Sequence, residues 1–247
     1  MSLHIGTAGW TLPKQYAHLF APDGSHLERH ASSLNCAEIN SSFHRQHMRK
    51  TWERWAASTP ADFRFSVKMP KTITHTAKLV NTGALQQTFL DQAQGLGEKL
   101  GPLLVQLPPS LAFDEGTAHE FFTTLRELHP ASHIHTNFIA LEPRHATWFT
   151  PAVDRLLRDF QVSRVAADPP KGSLLAAKPG GDQRLHYYRL HGVPRTYYSD
   201  YSETFLTDFA ASLHAQSHNV ETWVIFDNTA LGHATANALR LQSLLTL

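Results

Sequence analysis

Charged and polar side chains gather at the C-terminal ends of short apolar runs along this chain, a placement that lets them act on a ligand. The run Phe138-Ile139-Ala140-Leu141 ends in Glu142-Pro143-Arg144-His145, bringing a carboxylate, a guanidinium and an imidazole together. Similar endings recur at Glu38 and Asn40, Lys68, Gln106, Asp168, Arg189 and His191, and Asp227 and Asn228. Arg144, Arg189 and Lys68 would hold phosphate or carboxylate oxygens, with arginine offering a bidentate fork. Glu142, His191 and Asp168 are the candidate catalytic groups, because burial and neighbouring charge bring such pKa values toward neutrality, where proton transfer is efficient. Glu38, Asn40, Lys68, His75, Gln106, Arg144, Arg189, Trp10, Tyr198 and Asn228 are the candidate substrate-binding residues. The set suits an acid/base enzyme acting on a polar, anionic small molecule.

Other uses of the same residues differ in chemistry. A divalent-metal-dependent hydrolase or isomerase would employ Glu142, Asp168, His191 and Asp227, since oxygen-rich sites with one imidazole suit Mg²⁺, Mn²⁺ or Zn²⁺. Arg144, Arg189 and Lys68 would compete for those carboxylates, so the metal-free reading ranks first; no metal ligand is assigned and no cofactor follows. A non-catalytic module for nucleotides or short single-stranded nucleic acid would combine Arg144, Arg189 and Arg195 with Trp10, Tyr198 and Tyr201. A structural salt-bridge lattice would pair Glu38 with Lys68 and Asp168 with Arg189. Arg189 separates these uses: a cation kept for a ligand is lost at little cost in stability, whereas a brace is not. The ligand-holding role is the expectation.

The elements that must carry these residues alternate along the chain. Candidate strands lie near Leu3 to Thr7, Ala37 to Asn40, Phe63 to Lys68, Leu103 to Leu107, Ile139 to Pro143, Arg164 to Asp168, Tyr187 to His191 and Thr222 to Asn228. Helical periodicity is clearest from Met48 to Ser58, Ala118 to Leu128, Pro151 to Phe160, Ser202 to His214 and Ala234 to Leu245. Repeated strand-helix units predict an α/β fold, a single (β/α)8 TIM-type barrel with parallel strands and outer helices over residues 1–247. Gly180-Gly181-Asp182 reads as a surface turn. Within the strands, polar residues alternate with apolar ones: Arg64, Ser66 and Lys68 against Phe63, Phe65 and Val67, or Arg164 against Val165. Since the outer face packs on helices, the polar phases are expected to point inward, Arg164 and Asp168 included.

Composition bounds the classes of partner. With 42% apolar and 17% charged residues, the chain can bury a large core. A net charge of +1 supplies no global field for nucleic acid or an anionic membrane. The single Cys36 precludes an intramolecular disulfide and reads as a small buried side chain. No apolar run reaches spanning length and the N-terminus does not resemble a signal peptide, so a cytoplasmic protein is expected.

Several ordered motifs resemble the DUF72 (YecE-like) family. They are Gly6-Thr7-Ala8-Gly9-Trp10, Glu38-Ile39-Asn40-Ser41-Ser42-Phe43, Phe65-Ser66-Val67-Lys68, Ile73-Thr74-His75, Gln106-Leu107-Pro108-Pro109 and Glu142-Pro143-Arg144-His145, followed by Ala167-Asp168, Arg189-Leu190-His191-Gly192 and Phe226-Asp227-Asn228-Thr229. The resemblance spans almost the whole chain and implies a TIM-type barrel without a settled biochemical function. Two departures stand out: the family pattern usually has Asn where this chain has Asp227, and Tyr where it has His44. Asp227 is expected to alter metal affinity or local pKa values.

Overall fold

A computed structural model describes residues 2–130, 137–216 and 219–245. Ten strands form one sheet: β1 (Leu3–Ala8), β2 (Cys36–Ile39), β3 (Arg64–Lys68), β4 (Leu100–Gln106), β5 (Ile139–Glu142), β6 (Val162–Arg164), β7 (Ala166–Asp168), β8 (Gly180–Gly181), β9 (Leu185–Leu190) and β10 (Glu221–Phe226). Their order is β7-β9-β10-β1-β2-β3-β4-β5-β6-β8, and all pairings are parallel except that of β8 with β6. Only Val165 separates β6, which pairs with β5, from β7, which pairs with β9. One segment thus joins both ends of the sheet into a nearly closed barrel.

Local chemistry starts the helices, one of them at Glu115, ahead of the Ala118 expected from apolar spacing. Asp114 accepts from Thr117 N before α5 (Glu115–Leu128), and Thr150 accepts from Val153 N before α6 (Pro151–Asp159), which begins with proline. Ser202 does the same for Phe205 N at α7 (Glu203–His214). The last helix is His233–Leu245, and Arg49–Ala57 forms the helix expected from Met48 onward. No helix among the described residues is long and apolar enough to cross a membrane.

The barrel interior has two levels. Cys36, Leu104, Phe138, Ala140, Val165, Leu185, Tyr187, Trp223 and Ile225 fill an apolar cluster, with the Tyr187 and Trp223 rings stacked at 6.2 Å. Above it, toward the C-terminal strand ends, the same inward phases deliver Glu38, Lys68, Gln106, Glu142, Arg189 and Asp227. Alternation therefore predicted the inward faces of β2, β3, β5 and β9. It misplaced β6 and β7, because Val165 takes the inward position and throws Arg164 and Asp168 outward. Arg164 pairs with Asp154 of α6 and lies over the Phe149 ring. The predicted turn at Gly180-Gly181 is instead a buried strand against β6, where a Cβ on Gly180 would run into the Arg164 guanidinium.

Two histidines outside the barrel interior fix how the fold responds to acid. Burial pushes His30 and His129 down to about 4 from the usual 6.5, with Arg126 adding to the effect on His129. Both are neutral when folded at pH 7, while the unfolded chain takes up protons below 6.5. Stability should therefore fall as pH drops from 6.5 to 4, by up to about 3 kcal/mol for each histidine. Urea unfolding across that range should show a slope that flattens in His30→Gln; an unchanged slope would exclude His30 as its source.

Candidate functional site

The upper level is organised by Arg189, which has no exposed surface. Its Nε and Nη2 donate to Glu38 Oε2 and Oε1 at 3.0 and 2.7 Å, Nη1 donates to Glu142 Oε2 at 2.6 Å, and Nη2 also donates to Asp227 Oδ2 at 2.9 Å. The Tyr187 hydroxyl donates to Glu38 Oε2 at 2.8 Å and sits 2.7 Å from Ser66 Oγ. These contacts correct the expectation that Arg189 is a free anion-binding cation. Three carboxylates surround it, so it positions them and leaves no fork for a ligand.

Glu142 joins this floor to the mouth. Arg144 Nε and Nη2 both donate to Glu142 Oε1, at 3.0 and 2.8 Å, which leaves Arg144 Nη1 without a partner among the described residues. Burial by itself would raise the Glu142 pKa, but Arg189, Arg144 and His191 outweigh it and hold the carboxyl well below the usual range. His191 lies between two carboxylates: Nδ1 is 3.0 Å from Asp227 Oδ2, and Nε2 is 3.4 Å from Glu142 Oε1 without a formed hydrogen bond. Burial opposes charge on His191, yet its contacts with Asp227 and Glu142 raise its pKa above 6.5. The acidic residue at position 227 thus tunes the imidazole.

At the rim, several polar groups lack partners among the described residues. The side-chain amine of Lys68, the last residue of β3, makes no ion pair or hydrogen bond among the described residues; its Nζ lies 4.4 Å from the Phe43 ring centroid. The side-chain amides of Asn40 and Gln106 are likewise unpartnered among the described residues, and Asn40 Oδ1 is buried. His75 packs edge-on against Phe43 and is held low by burial, then by Lys68 and Arg144.

Other expected site residues lie elsewhere. The Asp168 carboxylate accepts from the Tyr201 hydroxyl at 2.7 Å, so it is not joined to Arg189. Asn228 is fully buried and donates to Ser199 O and Asn237 Oδ1, tying the loop before α7 to the last helix. Trp10 packs edge-on against Trp55 and Phe65. Tyr198 is covered by Arg195 at 3.9 Å, whereas its neighbour Tyr197 sits edge-on to His191 at 5.8 Å and acts electrostatically on Arg144. Sequence reasoning had no means of choosing between adjacent tyrosines in a loop. Among the described residues, no group of three or more His, Cys, Asp or Glu side chains is disposed to hold a metal ion. Arg189 stands between the carboxylates that would do so.

A family model described as a protein of unknown function, DUF72, matches residues 4–247. The chain belongs to the DUF72 family. YecE of Escherichia coli K12 is 33% identical over 106 residues, which is 43% of this chain and 38% of YecE. A DUF72 protein from Enterococcus faecalis V583 superposes with a TM-score of 0.81 at 20% identity, covering 99% of this chain and 96% of that one. Another from Thermotoga maritima MSB8 gives 0.78 at 22% identity over the full length of both. These similarities establish the DUF72 barrel and leave its chemistry to the residues.

Two outcomes test this geometry. Arg189→Met should destabilise the DUF72 barrel by roughly 3–5 kcal/mol in chemical denaturation, because it strands buried carboxylates. Adding Glu38→Gln should recover part of the loss, and a neutral Arg189→Met would refute the bracing role. In an NMR titration, His191 should keep its proton above pH 6.5, and Asp227→Asn should lower its midpoint. The stability His191 contributes is then present below 6.5 and lost as pH rises through its folded pKa.

Proposed function

We propose that the C-terminal mouth of this barrel binds a polar, anionic small molecule and exchanges a proton with it. The observation that carries this reading is an asymmetry of satisfaction. The floor around Arg189 has its charges paired, while the Lys68 amine, the Asn40 and Gln106 amides and Arg144 Nη1 have no partner among the described residues. Unpaired polar groups in a half-buried setting are costly unless a ligand completes them. Arg144 and Lys68 supply the positive charge for a phosphate or carboxylate, and Asn40 and Gln106 supply neutral hydrogen bonds.

His191 is suited to the proton step. Its carboxylate neighbours favour its charged form, so His191 is the donor, while Glu142, held well below the usual carboxylate range and thus too weak a base for the expected shuttle, stays ionised and stabilises the imidazolium. Glu142→Gln should lower the His191 titration midpoint and slow turnover, since the neutral amide no longer stabilises the imidazolium, while Glu38 and Asp227 still hold Arg189.

Thermal unfolding with inorganic phosphate, sulfate and citrate checks the binding half. The parent melting temperature should rise with anion concentration, as for any ligand that binds only the folded state. Arg144→Met should abolish that rise at little cost in stability, because Arg189 still pairs Glu142. An absent shift in the parent, or one untouched by Arg144→Met, would remove the proposal.

A further inference from the structure

One of the cations at the mouth has a capacity beyond holding an anion. We propose that Lys68 is a nucleophilic amine that forms an imine with a carbonyl compound carrying a carboxylate or phosphate. This deepens the preceding reading, because it takes the same mouth as the substrate site and names the substrate class.

The geometry around Lys68 is that of an amine kept from its natural partners. Three carboxylates act on it, Glu38 of β2, Glu142 of β5 and Asp227 just after β10, yet none forms an ion pair with it. All of their oxygens except Asp227 Oδ1 are engaged by Arg189, Arg144, His191 and Tyr187. Arg189 and Arg144 already set two permanent positive charges against Glu38, Glu142 and Asp227, and the contacts of His191 with Asp227 and Glu142 favour its charged form as a third, so the amine need not be an ammonium.

Burial first, and then Arg189, bring Lys68 down to about 8 from the usual 10.5, with the three carboxylates opposing. Roughly a quarter of the amine is then free at pH 7.5, against about one part in a thousand for an ordinary lysine. Desolvation beside another cation is a known route to a reactive lysine. Phe43 supports the Nζ from one side.

The step balances without an oxidant or reductant. The free amine attacks the carbonyl carbon, a C–N bond forms, and the C=O pair moves to oxygen. The nitrogen then gives up its two hydrogens, the oxygen leaves with them as water, and C=N replaces C=O. His75 shares the Phe43 ring with Lys68, and burial, Lys68 and Arg144 all favour its neutral form, which suits it to relay these protons. Arg144 Nη1 and the rim amides hold the anionic group.

Reductive trapping tests this on the full chain. Glyoxylate and, separately, glycolaldehyde phosphate are incubated with cyanoborohydride from pH 6 to 9, followed by peptide mapping. Lys68 should be modified faster than the other lysines, on the order of tenfold or more at pH 7.5, with a rate that rises through about pH 8. The better of the two probes identifies carboxylate or phosphate as the preferred anion. Inorganic phosphate should protect Lys68 while leaving surface lysines reactive, and Lys68→Arg should lose the fast adduct. An anion-induced thermal shift without preferential Lys68 trapping would overturn the imine and leave the binding reading standing. Absence of both would overturn both.

Discussion

A single guanidinium inside the barrel sets the terms for everything above it. Arg189 is fully withdrawn from water, and an isolated cation there would be prohibitively unstable. It persists because Glu38 takes it bidentately and Glu142 and Asp227 complete the shell, each at hydrogen-bond distance. The dependence is mutual, since the carboxylates could not remain ionised at that depth without it. Tyr187 extends the same network downward to Ser66 and stacks on Trp223, so the charged level rests on the apolar one.

This network also decides how each neighbour is used. Glu38 is turned to the floor by Arg189 and Tyr187. Glu142 divides its two oxygens between Arg189 below and Arg144 at the rim, which makes it the electrostatic link between bracing and binding. Asp227 divides a single oxygen between Arg189 and His191. Lys68 arrives on the next inward position of its strand and finds every carboxylate already occupied. Its unpaired state is thus a consequence of the Arg189 geometry rather than a local accident.

Periodicity made the barrel and the level of its charged residues legible. The inward phases of Glu38, Lys68, Glu142 and Arg189 follow from alternation, and the helices follow from caps and apolar spacing. What was illegible depended on tertiary neighbours. Nothing local marks Val165 as the inward residue at which one strand changes partners, so Arg164 and Asp168 were assigned to the wrong face. The motif around Arg189 and His191 shows a cation and an imidazole but not which carboxylates meet them. A fork filled by three carboxylates and a fork open to a ligand read identically in one dimension. Position 198 was preferred over 197 for the same reason, since loop residues carry no periodic signal.

The contrast between floor and rim follows from where each can find compensation. Deep groups are cut off from water, so the chain itself must neutralise them, and conformational freedom there would only expose unpaired charge. Rim groups retain some water, so leaving them incomplete costs less, and a ligand can recover what the apo protein forgoes. Asp227 lies at the boundary, nearly buried yet in contact with His191, and its charge acts on both levels. It helps to hold Arg189 and, through one shared oxygen, favours the protonated imidazole. A change in the proton on His191 therefore alters the balance around Arg189 as well, which couples the chemistry at the mouth to the stability of the interior.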